Sequence, residues 1–381
     1  MEGALDTLRG LAAKGGDERQ KVIQALQRLA FSLENPQDTI HRYGQMTLQA
    51  AIIQVGLDLG VFDYVAESDT SVVAQEIPGA EEQLMIRILR FLASMGAVDE
   101  VEKGQYTANH VTRNLTKGVV KAGLSHYFGT VAPQYQRVPN MLKESGYASP
   151  VNEMRTAFHL GHCTTTDPYN WFTNNPEHLA YFNDYMALRR KSDSTWLSVY
   201  PVATEATADW PADRGLFVNI GGGVGHQCAQ FKDKFPSLPG RVLLQDLPHS
   251  VAKALPTPGV ENMAHDMFEP QPIVVLLPPR CCAQPPPHKV RQLLENIKAA
   301  MTPESVLLID EMVLPERGVG FAAACIDMTM LTTFAGMERT EAQWRQTLSE
   351  VGLNLMSIHT YFASNYESVM DVRRPYSTLR A

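Results

Sequence analysis

The sequence predicts an α/β protein in which a Rossmann-like parallel sheet follows an all-helical N-terminal domain that ends in a winged helix. Three observations carry this prediction. A mostly apolar strand pattern at 217–220 runs straight into glycines at 221–223. A second one, at 241–245, is followed by Asp246. After residue 215, strand and helix patterns alternate, as a parallel sheet requires. Before it, helix-spaced apolar residues are followed by two short strand patterns around Lys103 and Gly104.

The glycine turn predicts a nucleoside cofactor. Gly221, Gly222 and Gly223 lack the Cβ atoms that would keep backbone N–H groups away from a ligand, and Asp246 can accept both ribose hydroxyls. Their spacing is close to the ~20 residues of one strand–helix–strand unit. Such a turn can also merely close a strand onto a helix, but the acid ending the next strand favours a cofactor. Consecutive glycines fit S-adenosylmethionine (SAM), and no Gly-Lys-Ser/Thr follows to hold a nucleoside triphosphate.

Length and composition narrow the functional classes. The chain has 381 residues, 44% hydrophobic and 19% charged, enough for about two domains of roughly 150 residues. A net charge of −8 without a basic stripe argues against nucleic acid as a partner. The N-terminus lacks a signal-peptide pattern, and no apolar stretch approaches the ~20 residues of a membrane helix. We therefore expect a soluble cytoplasmic protein with no membrane partner.

Cysteine and histidine usage predicts neither disulfides nor a metal site. The five cysteines include no Cys-x-x-Cys pair and are expected to be reduced thiols. His159 and His162 can share a helix face, but no nearby third ligand completes a zinc site. We expect these histidines to serve a pocket or the core, and no metal to be bound.

We expect three segments, with boundaries at residues 1–125, 126–205 and 206–381. In the first, leucine stripes before residue 40 predict a core or partner face, and residues 47–60 and 84–96 are predicted helices. Because the winged helix offers no basic residues to enter a DNA groove, it is expected to support a homodimer rather than to read DNA.

The aromatic-rich middle segment is predicted to be a helical core or a substrate pocket. Met186 follows Phe182 by four residues and is a candidate contact for a flat substrate.

In the last segment a helix near Lys289 and a strand at 305–309 are predicted. Thr340 is expected to cap a helix with Gln343 as its reciprocal partner. Residues 353–361 are predicted to form the last strand pair.

From Trp196 to Tyr361 the sequence resembles the class I SAM-dependent O-methyltransferases of the plant and fungal caffeate O-methyltransferase type, which need no cation. The motifs that carry the resemblance are the glycine turn, Phe-Pro-Ser-Leu-Pro-Gly-Arg-Val at 235–242, Gln-Asp-Leu-Pro at 245–248, His-Asp-Met-Phe at 265–268, Leu-Leu-Ile-Asp-Glu-Met-Val-Leu-Pro at 307–315 and Gly-Met-Glu-Arg-Thr at 336–340. The resemblance implies an intertwined N-terminal dimer and a C-terminal SAM-binding domain.

Residue roles follow from the resemblance alone. It implies that the three glycines line the methionine half of SAM, that Asp246 holds the ribose, and that Asp266 and Met267 flank the adenine. Glu311 and Glu338 match the carboxylates that orient a catalytic histidine. The residues that fall at substrate-contact positions are Met186, Met330 and Phe334. Asn219 stands where the family has aspartate, which removes one charge near the sulfonium.

One segment departs from the family pattern. Ala283 and Gln284 occupy the positions of the catalytic histidine and its Asp or Asn neighbour, within a proline-rich stretch. One explanation is divergence to a chemistry that needs no base. The other is a slipped reading frame, because codons for residues 275–279 and 283–286, read one base later, can spell the family's Tyr-Tyr-Phe-Arg and His-Asn-His-Pro. His288 is the nearest remaining imidazole, and we expect it to face solvent.

Three functions stay open at this point. The first is SAM-dependent O-methylation of a small aromatic or polyketide-like metabolite. The second is a pericyclic or dehydration step in which SAM acts as a fixed positive charge, which tolerates the loss of a base. The third is an inactive SAM-binding dimer partner.

Overall fold

The computed structural model describes residues 2–189, 195–205, 210–273, 275–277 and 285–375. The chain divides into two compact units. The first comprises Met1–Ala132 and Asn175–Arg190, and the second comprises Pro133–Asn174 and Lys191–Ala381.

The helices and strands have the following bounds. The helices are α1 Glu2–Ala12, α2 Gly16–Leu33, α3 Pro36–Gly44, α4 Met46–Asp58, α5 Val61–Glu67, α6 Glu82–Ser94, α7 His110–Leu115, α8 Gly118–Ser125, α9 Ala132–Tyr135, α10 Val138–Glu144, α11 Ala157–His162, α12 Pro168–Asn174, α13 Pro176–Arg189, α14 Val202–Glu205, α15 His226–Lys234, α16 Pro248–Val251, α17 Pro287–Ala300, α18 Phe321–Phe334 and α19 Glu341–Glu350. The strands are β1 Asp99–Glu102, β2 Gln105–Thr107, β3 Gly215–Ile220, β4 Arg241–Asp246, β5 Val260–Ala264, β6 Val275–Leu277, β7 Leu307–Leu314, β8 Arg339–Thr340, β9 Asn354–Phe362 and β10 Glu367–Arg373.

The first unit is helical with one hairpin, as its apolar spacing predicts. Helix α6 buries Met85, Ile88, Leu89 and Leu92, which recur at the three- and four-residue spacing of one helix face. The predicted short strands are confirmed as β1 and β2, an antiparallel pair whose turn has Gly104 at φ +73°. Glycine adopts this left-handed conformation without the penalty that a Cβ imposes.

The second unit is built on two four-stranded sheets that meet at β6 and β7. One sheet is parallel with strand order β5-β4-β3-β6, and the other has the order β8-β7-β10-β9. Strand β6 contacts β7. All six residues of β3 are buried. This burial fits a parallel strand covered on both faces, by one apolar cluster around Leu294 and another around Phe231.

The last strands differ from the prediction. Residues 353–361 do not contain a strand pair, because β9 is one strand and its antiparallel partner is β10. The turn between them ends at Tyr366, a non-glycine residue at φ +58°, so no glycine marks it in the sequence. The predicted capping box is confirmed: Thr340 Oγ1 accepts the Gln343 N–H at 3.4 Å, and Gln343 Oε1 accepts the Thr340 N–H at 2.9 Å.

The apolar helices are short compared with the thickness of a bilayer. Within the described residues, no single helix is long and apolar enough to cross a membrane. Helices α4 and α5 reach that length and composition only together, and the chain bends by 63° between them.

Candidate functional site

The glycine turn joins β3 to α15 at the carboxyl end of the parallel sheet. Gly221 and Gly223 have φ values of +66° and +62°, and Gly225 has +92°. The Gln245 carbonyl accepts the Gly221 N–H at 2.8 Å and the Gly222 N–H at 3.2 Å. The turn is therefore held against the end of β4 by backbone bonds, in a conformation that glycine adopts most readily.

Gly222 is required for a different reason. A Cβ on this residue would lie 2.5 Å from both Asn219 Nδ2 and Leu244 Cδ1. At Gly223, by contrast, no heavy atom lies within 4 Å of the position that a Cβ would occupy, so this side of the turn faces open space. The turn thus packs its middle glycine on the sheet and leaves the next one open to a ligand.

Asp246 connects the turn to the neighbouring strand. Its Oδ2 accepts the Gly223 N–H at 2.7 Å, and its Oδ1 accepts the Leu247 N–H at 2.8 Å. An ionised carboxylate offers about four lone-pair positions. Two therefore remain for a ligand, which matches the two hydroxyls of a ribose.

The loop after β5 brings Asp266 and Met267 to the same edge of the sheet. The His265 N–H donates to the Asp246 carbonyl at 2.9 Å, and Asp266 Oδ1 accepts the Phe268 N–H at 2.9 Å. Met267 Sδ lies 3.8 Å from the point where a Gly221 Cβ would stand. The apolar wall expected for an adenine ring therefore adjoins the glycine turn.

Side chains of helix α17 hydrogen-bond to this loop. The Phe268 carbonyl accepts Gln292 Nε2 at 2.9 Å and Asn296 Nδ2 at 2.7 Å. Lys289 Nζ lies 4.8 Å from the centre of the Phe268 ring. Because these donors share one face of α17, one turn apart, the loop position depends on that helix.

A pair of carboxamide side chains joins the far end of the loop to strand β4. Gln245 Nε2 donates to Gln271 Oε1 at 3.0 Å, and Gln271 Nε2 donates back to Gln245 Oε1 at 2.9 Å. Gln245 is fully buried, and its backbone carbonyl is the acceptor that holds the glycine turn. One residue therefore anchors both the turn and the loop.

Asn219 supplies an uncharged polar group beneath the turn. It is 1% exposed, and neither Oδ1 nor Nδ2 has an oxygen or nitrogen hydrogen-bond partner among the described residues. Its polar neighbour is the thiol of Cys228. Burial raises the pKa of this thiol to about 12, and the Asn219 amide acts in the opposite direction.

These features fit a SAM-sized nucleoside ligand. The turn has an open side at Gly223, an acid with two unused acceptor positions, and a thioether wall at Met267. The turn sequence Gly-Gly-Gly-Val-Gly-His at 221–226 contains no lysine that could reach a phosphate.

The two predicted carboxylates lie on and beside adjacent strands, with Glu311 in the middle of β7 and Glu338 directly before β8. Glu311 is half-buried on β7, opposite Ser368 of β10. Glu338 is 7% exposed, and its N–H donates to Asp327 Oδ1 at 2.8 Å. Because β8 runs parallel to β7 with Arg339 opposite Val313, Glu338 precedes that pairing by one residue.

The substrate candidates belong to both units. Met330 and Phe334 lie on α18 in the second unit, where the Phe334 ring stacks on Tyr169 at 5.4 Å and 28°. Met186 is a half-buried residue of α13 in the first unit. The Phe334 stack identifies Tyr169 as an aromatic neighbour that the sequence did not suggest.

His159 and His162 pack within the second unit. His159 is buried, and its Nδ1 lies 3.0 Å from Thr156 Oγ1. The His162 ring lies 4.3 Å from the Trp171 ring and 4.6 Å from Phe158. Among the described residues, no three His, Cys, Asp or Glu side chains converge on a possible metal position.

Sequence reasoning missed the polar residues that support the site. Gln227, Gln271, Gln292 and Asn296 bond to site elements that are distant in sequence, so no local motif marks them. The altered positions Ala283 and Gln284 lie outside the described residues.

Comparison with known proteins agrees with this architecture. The sequence model of the O-methyltransferase domain matches residues 203–354. The O-methyltransferase ucdC of Aspergillus ustus is 32% identical over 377 residues, covering 97% of this chain and 98% of the relative. The demethylsterigmatocystin 6-O-methyltransferase of Aspergillus parasiticus is 33% identical over 356 residues, covering 92% of each chain.

Solved structures match over nearly the whole chain. LepI in complex with SAM superposes with a TM-score of 0.86, at 32% identity and with 98% of each chain covered. A structure described as a pericyclic reaction enzyme gives 0.85 at 31% identity, covering 98% of this chain and 99% of that one. The predicted cofactor, SAM, is the cofactor of such methyltransferases, and the chain belongs to the class I SAM-dependent O-methyltransferase family of the plant and fungal type.

Proposed function

We propose that the chain transfers the methyl group of SAM to a hydroxyl of a small aromatic or polyketide-like secondary metabolite. One observation carries the proposal: the 2.7 Å bond from the Gly223 N–H to Asp246 Oδ2, which joins the glycine turn and the strand-end acid into one site. SAM supplies the electrophilic methyl group when it is bound. The relative from Aspergillus parasiticus, named for a 6-O-methylation, supports the substrate class.

Within this proposal the donor side is assigned to five residues besides Asp246. Gly221, Gly222 and Gly223 receive the methionine half through backbone groups. Asp266 and Met267 enclose the adenine, with the Met267 thioether against one ring face. Asp246 orients the ribose by charge-assisted hydrogen bonds, which are about twice as strong as neutral ones.

The acceptor side is assigned to Glu311, Glu338 and three apolar residues. Two carboxylates on and beside adjacent strands can accept a hydrogen bond from a phenolic or enolic hydroxyl and orient its oxygen toward the donor. The apolar contacts proposed for the substrate are Met186, Met330 and Phe334. An aromatic acceptor can continue the stack that Tyr169 already makes with Phe334.

A second function has its own support. The sequence has Ala283 and Gln284 where the family places its histidine, and one matching structure is described as a pericyclic reaction enzyme. A pericyclic or dehydration step needs charge stabilisation rather than a base, and bound SAM can provide it. In that case SAM would be required but not consumed.

Mass spectrometry with SAM carrying a trideuterated methyl group separates the two functions. The protein is incubated with a panel of phenols and enols, as the natural sequence and as a variant with Ala283→His and Gln284→Asn. General-base catalysis contributes about 10²–10⁴ to a rate, so the variant should label product faster if methylation is the chemistry. Product without label that still requires SAM supports the second function. Turnover of any kind excludes an inactive partner.

We also propose that the helical first unit, with its β1–β2 wing, forms a homodimer. Helices α2 and α3 leave Leu29, Leu33 and Ile40 exposed by 56%, 74% and 61%. Large apolar side chains exposed on consecutive helices favour an interaction surface. Light scattering at micromolar concentration should give twice the chain mass, and a chain lacking residues 1–40 should give the monomer mass. A monomeric full-length protein contradicts the proposal.

A further inference from the structure

Asp310 is a buried carboxylate that the proposed chemistry does not use. It is 6% exposed and lies on β7 next to Glu311, but on the opposite face because strand side chains alternate. Its Oδ2 accepts Gln227 Nε2 at 2.7 Å, and its Oδ1 accepts the Tyr361 hydroxyl at 2.7 Å. Short bonds from two neutral donors to one carboxylate hold it in a single orientation.

The two donors come from different parts of the second unit. Tyr361 lies on β9 and reaches across β10 to Asp310, which anchors the carboxylate to the sheet. Gln227 lies in the first turn of α15, two residues after Gly225. The carboxylate therefore links the end of the glycine turn to the strand that carries Glu311.

The first turn of α15 needs such a link. Its N-cap, Gly225, has φ +92° and no side chain, so it makes no side-chain capping bond. Helix N-termini are usually stabilised by an oxygen acceptor from the capping residue. Here the bond from Gln227 to Asp310 anchors the first turn of the helix to strand β7.

We propose that Asp310 is a positioning residue of the donor site. Acting through Gln227, it fixes the position of the glycine turn relative to the sheet. It thereby fixes the distance between the turn and Glu311 on β7. The inference rests on the proposed function, because it assumes that the turn receives SAM. It adds a residue that touches neither cofactor nor substrate in that scheme.

Calorimetric titration of the full chain with SAM tests the proposal, using Gln227→Leu and Asp310→Asn. Hydrogen bonds to charged groups are strong enough that each variant should weaken SAM affinity by about tenfold. The binding stoichiometry should stay unchanged, whereas a folding defect lowers the stoichiometry instead of the affinity. Gln230→Leu is the matched control, because Gln230 is an exposed glutamine on the same helix.

A double variant tests whether Asp310 acts through Gln227. Residues that work through one shared bond are not additive. The Gln227→Leu and Asp310→Asn pair should therefore bind SAM within about twofold of the weaker single variant. Losses that multiply would overturn the proposal, as would equal affinities for Gln227→Leu and Gln230→Leu.

Two further controls separate this inference from its foundations. Asp371→Asn alters another buried carboxylate of the same sheet, one that accepts the Tyr200 hydroxyl at 3.0 Å, and it should lower stability without moving SAM affinity. Asp246→Ala tests the donor site itself. If Asp246→Ala weakens SAM and Gln227→Leu does not, only the role of Asp310 fails. If neither variant weakens SAM, the assignment of the donor site fails.

Discussion

Replacing Asp246 by alanine is the most direct test of the donor site. In the structure this carboxylate uses one acceptor position for the Gly223 N–H and one for the Leu247 N–H. The two remaining positions are those proposed for the ribose hydroxyls. The substitution therefore removes the ribose contacts and also releases one anchor of the glycine turn.

The expected loss of affinity follows from the bonds removed. Each hydrogen bond to a charged group is worth about 1.5–3 kcal/mol. Two ribose bonds correspond to roughly 10²–10⁴ in the dissociation constant, at 1.4 kcal/mol for each factor of ten. Asp246→Asn keeps an acceptor oxygen without the charge, so its affinity should fall between those of the natural protein and the alanine variant.

Calorimetric titration with SAM and with S-adenosylhomocysteine measures this loss. Both ligands carry the same ribose, so both should weaken by a similar factor. Glu261→Gln is the matched control, because Glu261 lies on the neighbouring strand β5 in an exposed ion pair with Arg241. Exposed pairs contribute only about 0–1 kcal/mol. A dissociation constant for Asp246→Ala within threefold of the natural protein would refute the reasoning.

Three further predictions concern packing, pH and the acceptor side. Gly222→Ala should lower the free energy of unfolding by about 1–3 kcal/mol, because its Cβ would lie 2.5 Å from Asn219 and Leu244. A Cβ at Gly223 meets only open space, so Gly223→Ala should lower the free energy of unfolding by about 1–2 kcal/mol, through backbone strain alone. In urea denaturation, an equal loss above about 3 kcal/mol for both variants would contradict the packing account. Burial, aided by the charge of His178, lowers the pKa of His126 to about 4. Since its unfolded pKa is about 6.5, the stability that neutral His126 contributes is complete above pH 6.5 and is lost as the pH falls toward 4. Between pH 7 and pH 5 the natural protein should lose about 2 kcal/mol more than His126→Gln, and an equal loss would count against it. Glu311→Gln should lower kcat about tenfold with SAM affinity unchanged, and a change in affinity alone would move Glu311 to the donor side.

The parts of the fold that local patterns encode were predictable. Helix α6 follows from apolar residues at three- and four-residue spacing, and the β1–β2 turn follows from Lys103 and Gly104. The glycine turn and its spacing in sequence from Asp246 are also encoded within one strand–helix–strand unit. In each case the physical cause lies within one element or one connection.

Strand β7 shows where local reasoning stops. The prediction placed this strand at 305–309, before Asp310 and Glu311, yet the strand runs from Leu307 to Leu314. Asp310 is tolerated inside the sheet because Gln227 and Tyr361, each more than fifty residues away, donate to it. Buried polar groups need such partners, and a single sequence does not reveal distant ones.

The same limit explains why the supporting carboxamides were missed. Gln245 with Gln271, and Gln292 with Asn296, fix the loop that carries Met267, and all four are neutral. A carboxamide donates and accepts, so it satisfies buried groups without adding charge.

The uncharged side chains that hold the site affect its electrostatics. Asn219 and the carboxamides are uncharged, whereas Asp246 and Asp266 bring carboxylates to the glycine turn and to the loop beside it. Carboxylates beside a binding site attract a cation more than an anion. A phosphate-binding loop combines a helix N-terminus with a lysine, and the turn at 221–226 has the N-terminus of α15 but no lysine. The carboxylate at Asp246 and the absence of a lysine from the turn therefore fit a cationic sulfonium better than a phosphate.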